Sequence, residues 1–347
     1  MKVAVYTIAL NEERFVEKWY ESAKHADYLL IADTGSSDGT VEKAKKLGIN
    51  VFSISINPWR FDDARNASLA LVPADIDYCI ALDMDEVLLP GWRQELEKAH
   101  KTGITRPRYR YTWSWVDGKP GLQYGGDKIH KRQGYRWKHP VHEVIRPDRL
   151  QETQGWIDLE IHHYPDHTKS RGQYFQLLKL SVEEDPTDDR NTYYYARELF
   201  YNRMFDEAAE EFRRHLSLPK SQWPAERAAS HRHLAKCEPA NAKQHLLNAI
   251  STDPDRREAK VELALFAYEK SDWELCQKYA LEALEATEKP LDYLCEDFAW
   301  GYLPYDLAAL SSYHLGNKKL AKKYGKLAVD LEPKEERLKT NLQYYSK

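Results

Sequence analysis

The first hundred residues alternate short apolar runs with amphipathic stretches. Val3 to Ala9 is an apolar run of buried-strand length, broken by Asn11, Glu12 and Glu13. Glu12 to Ala26 then carries Phe15, Val16, Trp19, Tyr20 and Ala23 at helical spacing. Tyr28 to Ala32 predicts a second strand, stopped by Asp33-Thr34-Gly35. Ser37-Asp38-Gly39-Thr40 opens a helix that Gly48 is placed to cap. Val51 to Ile56, Asp62 to Leu71 and Tyr78 to Leu82 continue as strand, helix and strand. This rhythm predicts an α/β domain with a largely parallel sheet, helices on its faces and ligands at the carboxyl ends of its strands.

The second half reads as all helix. Pro186, Pro219, Pro254, Pro290 and Pro333 punctuate it at intervals of 33, 35, 36 and 43 residues, near the 34-residue period of tetratricopeptide repeats. Small and aromatic residues suited to close helix pairing recur: Ala196, Ala208 and Phe212, then Ala264 and Ala280, then Ala308, Ala321 and Ala328. Trp223 to Asn248 matches the pattern poorly and reads as a degenerate repeat. These patterns set domain limits of 1–168 and 169–347, with the junction between Tyr164 and Gly172 and Arg171 to Glu184 as the first helix beyond it.

Composition narrows the class. With 42% hydrophobic and 31% charged residues among 347, the chain is of soluble globular type and long enough for two cores. No apolar run approaches a membrane span, and the N-terminus has no secretory pattern, so a cytoplasmic location is expected. Cys79, Cys237, Cys276 and Cys295 show neither CxxC nor zinc-ligand spacing, and are expected as reduced thiols. The net charge of −4 hides a local excess: residues 101–150 hold 12 Lys/Arg against 4 Asp/Glu. Tyr109, Tyr111, Trp113, Trp115, Tyr124, Tyr135 and Trp137 lie in the same stretch. Basic residues among aromatics suit a diphosphate, a sugar face or a nucleic acid, and charge alone does not choose.

Two segments carry candidate chemistry. Ile80-Ala81-Leu82 runs into Asp83-Met84-Asp85-Glu86, three carboxylates at a buried strand end. Their mutual repulsion is relieved by a cation, and oxygen ligands suit Mg²⁺ or Mn²⁺ bridging to a diphosphate. The alternative is a polar strand end before a helix. Asp33-Thr34-Gly35-Ser36-Ser37-Asp38-Gly39-Thr40 is a strand-to-helix loop that offers N–H groups to an anion, with Asp33 placed to accept from a base. The alternative there is an ordinary turn with Ser37 or Asp38 as N-cap. Neither GxGxxG nor a P-loop occurs, which removes the main support for dinucleotide and P-loop readings.

In order and spacing, Thr7-Ile8-Ala9-Leu10-Asn11-Glu12-Glu13, the Asp33 loop, Ala64-Arg65-Asn66 and Leu82-Asp83-Met84-Asp85-Glu86 resemble family 2 glycosyltransferases of the GT-A fold. Ile161-His162-His163-Tyr164 followed by helical repeats resembles a bacterial and phage subgroup, including peptide S-glycosyltransferases of the sublancin type. The resemblance implies a metal-dependent, inverting transferase using Mn²⁺ or Mg²⁺ and a nucleotide-sugar donor, a UDP-sugar by family frequency. It implies that Asn11 and Glu12 line the nucleotide pocket, Asp33 meets the base, and Arg65 lies near the nucleotide or diphosphate. Asp83 and Asp85 match the DxD pair, with Asp85 the direct metal ligand. Leu10 departs from the family, where Pro or Lys commonly precedes the Asn.

His139-Pro140-Val141-His142-Glu143 resembles the subgroup's VHE segment. It makes Glu143 the first candidate for the base that deprotonates the acceptor, and His142 a metal or phosphate ligand. Asp127, after Gly125-Gly126, is the second base candidate. Lys131, Arg132 and Arg136 are candidates to stabilise the leaving diphosphate. Of His162 and His163, adjacent on a strand, only one reaches the site, and the resemblance favours His163. The acceptor stays open: a polypeptide held by the repeats, a saccharide, or nucleic acid through residues 101–150. A non-catalytic scaffold built on the repeats is the alternative from another class.

Overall fold

The computed structural model describes residues 1–166 and 172–345. They form two compact units, Met1–Ser181 and Val182–Lys347. The 168/169 limit and the helix start at Arg171 read from the sequence lie outside the described residues.

The first unit opens with β1 (Val3–Ala9), α1 (Val16–Ala23), β2 (Tyr28–Asp33), α2 (Thr40–Lys46), β3 (Asn50–Ser53), α3 (Phe61–Ala70) and β4 (Tyr78–Ala81). It continues with β5 (Glu86–Leu88), α4 (Trp92–Lys101), β6 (Arg106–Thr112), β7 (Trp115–Val116), β8 (Lys119–Pro120), β9 (Gln123–Gly126) and β10 (Ile129–Lys131). β11 (Tyr135–Lys138), β12 (Val144–Pro147), β13 (Gln154–His163) and α5 (Tyr174–Glu184) complete it, α5 reaching across the division between the units.

The main sheet has the order β10-β4-β1-β2-β3, with β4, β1, β2 and β3 parallel and β10 antiparallel at the edge. β1 lies at its centre and is buried on both faces, which is why its sequence is a continuous apolar run. Val3 and Val5 belong to the core that holds Trp19, Trp92 and Leu96, whereas Ala4 and Tyr6 belong to the core of the opposite face with Trp137 and Ile145. The predicted helix from Glu12 starts only at Val16, because the backbone N–H groups of Asn11, Glu12 and Glu13 are committed to the loop before α2. The predicted strand to Ile56 ends at Ser53.

The sequence patterns did not reveal a second sheet, β5-β13-β6-β9. Its strand Arg106–Thr112 alternates Tyr109 and Tyr111, buried in the core, with Arg108 and Arg110 on the other face. β13 pairs antiparallel with β5, setting His163 opposite Glu86, and this seam brings the far end of the unit back to the end of β4.

The second unit consists of helix pairs: α6 (Asp189–Tyr201) with α7 (Phe205–Ser217), α8 (Pro224–Cys237) with α9 (Ala242–Thr252), and α10 (Arg257–Glu269) with α11 (Trp273–Glu285). After the short α12 (Asp297–Trp300) come α13 (Leu303–His314) with α14 (Lys318–Leu331), then α15 (Glu336–Tyr345). Ala264, Ala280, Ala283 and Ala308 are buried where the helices meet, and such small residues permit close approach. The segment read as degenerate, Trp223 to Asn248, is a regular pair. Its helices are joined by the 3₁₀ turn Pro239–Asn241 and packed through Ala228 and Ala249. No described helix is long and apolar enough to cross a membrane, and all four cysteines are unpaired.

Several histidines of this unit are buried in neutral form. His215 is held between Ser221 and Ser230, and burial pushes it down to about 4. His233 stacks on Phe212, and burial pushes it down to about 3. Because both lie below the unfolded value of about 6.5, the unfolded chain binds more protons between those limits, so stability rises with pH there. The urea midpoint of the repeat transition is therefore expected to be constant above pH about 6.5 and to fall toward pH about 4. His233→Phe, which removes one of these protons, should flatten that fall.

Candidate active site

Two loops at the carboxyl end of the sheet are laced together. β1 and β2 are in register from Ala4↔Tyr28 to Ala9↔Asp33, so the segments leaving them emerge side by side. Asn11 turns the chain with φ +54°, a conformation Asn tolerates, and its Oδ1 accepts from Ser37 N at 2.8 Å. Asn11 N donates to Ser36 Oγ at 2.8 Å and Glu12 N to Thr40 Oγ1 at 2.7 Å. Glu13 Oε2 accepts from Gly39 N at 3.1 Å, and a Cβ at Gly39 would sit 2.5 Å from that carboxylate, so a larger residue there would displace the Glu13 side chain. Asp33, 5% exposed, accepts from Gly35 N and Ser36 N at 3.1 Å each, which fixes the loop on its carboxylate. Asn11 thus acts as a brace for the Asp33 loop.

The end of β4 is a charge cluster. Leu82 is pinned by Tyr6 O, which accepts its N–H, and by Trp19 Nε1, which donates to its carbonyl at 3.0 Å. Beyond it, Asp83 Oδ1 accepts from Arg65 Nη2 at 2.8 Å and Oδ2 from Lys128 Nζ at 2.6 Å. Burial opposes ionisation of Asp83, but the two cations outweigh it and hold the carboxyl well below the usual range. Glu86, only 1% exposed, accepts from Asp83 N, Tyr111 OH and Lys128 Nζ at 2.8, 2.6 and 2.9 Å. Arg65 Nε donates to Glu143 Oε1, so one guanidinium joins Glu143 to Asp83. Arg65 is 5% exposed, and its Nη1 is buried without a hydrogen-bond partner among the described residues. Its neighbour Asn66 faces away and clasps Trp137 through both backbone groups, at 2.9 and 3.0 Å.

Asp85 meets His163. The Tyr164 N–H donates to the Asp85 carbonyl at 2.8 Å, tying the end of β13 to the carboxylate segment. His163, 5% exposed, stacks on Trp113 at 4.3 Å. Its Nδ1 lies 3.0 Å from the Trp113 carbonyl, which can only accept, so Nδ1 carries a proton. Nε2 then faces Asp85 Oδ2 at 3.3 Å. Burial lowers the imidazole's proton affinity, but Asp85 overrides it and raises the pKa above 6.5. An imidazole nitrogen and a carboxylate oxygen in this relation call for a proton or a cation between them. His162 points to the other face and lies 2.8 Å from Glu160.

The donor set suits a divalent ion. Asp83, Glu86 and Glu143 face two cations, Arg65 and Lys128, while Asp85 faces His163. The Nδ1–H bond to a backbone carbonyl is also the support that metal-binding histidines commonly have. No group of three or more His, Cys, Asp or Glu among the described residues is disposed to enclose an ion.

The structure does not bring every predicted residue to this point. Arg132 donates through Nε and Nη2 to Val72 O, and its backbone N–H to Asp77 O, at the opposite end of β4 from Asp83. Asp127 lies 3.6 Å from both Arg106 and Arg108, whereas the adjacent Lys128 turns to Asp83. His142, with φ +50°, sits edge-on to Tyr174 at 5.8 Å and belongs to no metal-holding group. Glu12 is half-buried beside Asn11. Lys128 and Glu86 are the central residues without an assigned role in the sequence reading. The only local signal for Lys128 is a cation directly after Gly125-Gly126-Asp127. Of the positive charge of residues 101–150, Arg106 is buried and pairs with Glu152, whereas Arg110, Arg136, Lys138, Arg146 and Arg149 are exposed.

Residues 4–156 match the model of glycosyl transferase family 2. The family 2 domain thus accounts for less than half of the chain and contains every member of the cluster except His163. Among solved structures, glucosyl-3-phosphoglycerate synthase from Mycobacterium tuberculosis, in complex with Mn²⁺, UDP-glucose and phosphoglyceric acid, is 27% identical. That likeness covers 32% of this chain and 44% of the synthase, with a TM-score of 0.27. Pseudomonas aeruginosa pilF is 14% identical over 49% of this chain and 71% of its own, with a TM-score of 0.39. YrrB, a TPR protein with an unusual peptide-binding site, is 13% identical over 51% of this chain and 84% of its own, with a TM-score of 0.37. The chain is an α/β domain that resembles glycosyl transferase family 2 over residues 4–156, followed by a unit of paired helices.

Removing the guanidinium from this cluster would leave Glu143 without its cation and Asp83 with Lys128 alone. Arg65→Met is expected to cost about 3–5 kcal/mol in urea unfolding of the first unit. Asp83 is held below its unfolded value, so its contribution is present above pH about 4 and lost below it. The gap between wild type and variant should accordingly narrow as the pH is lowered through that value.

Proposed function

We propose that the protein is a metal-dependent, inverting glycosyltransferase that takes a sugar from a nucleotide-diphosphate donor, a UDP-sugar, and passes it to a polypeptide acceptor. The observation that carries this reading is the facing of Asp85 and His163 beside an Asp83 neutralised by Arg65 and Lys128, at the carboxyl end of a central parallel strand. Asp33 and the loop braced by Asn11 and Glu12 receive the nucleotide base. Asp85 and His163 would hold Mn²⁺ or Mg²⁺, with Asp83 beside them; the mixed nitrogen and oxygen set favours Mn²⁺. The cation, when bound, offsets the charge of the departing diphosphate. Arg65, with its unpartnered Nη1, supplies a further donor to that diphosphate.

Glu143 serves as the base. Its pairing with Arg65 orients it and ties it to the donor-binding cluster, a link that Asp127 lacks. In a single displacement Glu143 takes the acceptor's proton as the nucleophile bonds to the anomeric carbon. The bond to the diphosphate oxygen breaks in the same step, and the electron pair leaves with the nucleotide. The functional division follows limits of 1–168 and 169–347, with the repeats contributing to acceptor recognition as in the sublancin-type subgroup, in the cytoplasm.

Two measurements test the reading. Calorimetry of UDP with the full chain should show binding that strengthens at least tenfold with Mn²⁺, with that gain lost in Asp85→Ala and in His163→Ala. Equal binding with and without Mn²⁺ by the folded wild type would sink the metal site. Once a UDP-sugar is found to be hydrolysed or transferred, Glu143→Gln should lower kcat by about 10²–10⁴ while UDP affinity stays within a few-fold. A variant that keeps its kcat would remove Glu143 from the base role.

A further inference from the structure

The repeat unit carries a segment that its helical pattern does not need. The connections between the first three helix pairs are short, residues 218–223 and 253–256, but the next runs from 286 to 302 with only α12 inside it. Long connections in compact units usually have a task of their own. This one folds back over the face made by the first helices of the preceding pairs, touching α6, α8 and α10 in turn.

Its contacts are those of a bound peptide. The Asp292 carboxylate takes a two-pronged bond from Arg256, at 2.7 and 2.9 Å. Tyr293 stacks on Tyr194 of α6 at 5.8 Å and 15°, lies 5.7 Å from Trp223, and donates its hydroxyl to Glu226 of α8. Glu296 pairs with Arg232 of α8 at 2.6 Å, and its N–H donates to Glu258 of α10 at 3.2 Å. Of the receiving groups, Tyr194, Glu226, Arg232, Arg256 and Glu258 are buried and Trp223 is exposed, as are Leu291, Glu296 and Asp297 of the segment itself. Beneath Leu294 a small cavity remains between Arg232, Arg256 and Glu258. A core segment would fill that space with apolar atoms. Beside the buried Leu294 and Cys295, charged forks and one aromatic slot hold the segment, a mode that specifies a partner more than it adds stability.

We propose that the first-helix face of the repeat unit is a receptor for an acidic, tyrosine-centred peptide, and that residues 290–297 occupy it in cis as an exchangeable pseudo-ligand. The recognised pattern is a carboxylate, a tyrosine beside it, and a second carboxylate four positions after the first. Arg256 and Arg232 read the charges, and the slot of Tyr194, Trp223 and Glu226 reads the ring. A segment in trans enters only as the resident one yields, so the face is both specific and gated. The proposal does not depend on sugar transfer, since binding alone reports it.

The test uses the full chain and a fluorescein-labelled synthetic peptide of residues 287–297 carrying Cys295→Ser. The variant Asp292→Asn/Tyr293→Ser/Glu296→Gln loosens the resident segment while leaving its buried Leu294 and Cys295 in place. Fluorescence anisotropy is expected to show at least tenfold tighter binding to this variant than to wild type. Adding Arg256→Gln should abolish the gain, and a peptide with Lys at both acidic positions should not bind. A variant that keeps its helical circular dichroism yet binds no better than wild type overturns the proposal. If the variant does not fold, hydrogen exchange of the wild type decides. Amides of 290–297 should exchange faster with saturating peptide, and unchanged exchange rejects the idea.

Discussion

A parallel strand that ends in carboxylates inside a protein creates an electrostatic debt which its own segment cannot settle. Here Asp83 and Glu86 stand at the end of β4, and the cations that neutralise them arrive from α3, as Arg65, and from the turn before β10, as Lys128. Each cation fixes the element that bears it. Arg65 sets the rotation of α3, so that Asn66 on the next position clasps Trp137 and anchors β11. Lys128 sets the edge strand β10 against β4, and Tyr111 brings β6 to the same carboxylate. Much of the first unit's arrangement follows from satisfying that one strand end, because a buried charge left without its partner costs several kcal/mol.

The same arrangement explains what sequence alone could show. β1, β2 and β4 were legible because strands buried on both faces are uniformly apolar, and the site residues on them were legible because carboxylates rarely end such runs by chance. Asp33, Asp83 and Asp85 lie next to that signal, whereas Arg65, within α3, was legible only through the family resemblance. The second sheet was hidden because Arg106 to Thr112 alternates arginine with tyrosine, which reads as a basic aromatic stretch until the tyrosines are seen facing the core. Arg106 and Arg108 of that strand are turned toward Asp127 and Glu152, pairings that depend on chain reversal and leave no local trace. Arg132 was drawn into the candidate site by proximity in sequence to residues that do reach it.

The repeat unit shows a different limit. Its period was readable from proline spacing, and the pair from Trp223 to Asn248 proved regular because alanines at the interface, which carry no strong motif, are enough to let helices meet. The longest interval, 43 residues, held information of another kind. The added length is neither helix nor slack. It is chain folded onto Arg232, Arg256 and Tyr194, where buried polar groups of three pairs converge. Such an interior is poorer in hydrophobic stabilisation than an apolar one but more selective in what it accepts.

The bond from the Tyr164 amide to the Asp85 carbonyl gives the domain an end point that similarity does not. The family match stops at residue 156, in the middle of β13, yet the strand runs on to His163, and its last three residues pair with β5 directly behind the carboxylates. A fragment trimmed to the matched span would keep both aspartates and still lack the imidazole that faces one of them. It would also expose the unpaired edge of β5, an invitation to intermolecular strand pairing. The boundary of this domain is set by the last hydrogen bond that ties β13 to the carboxylate segment.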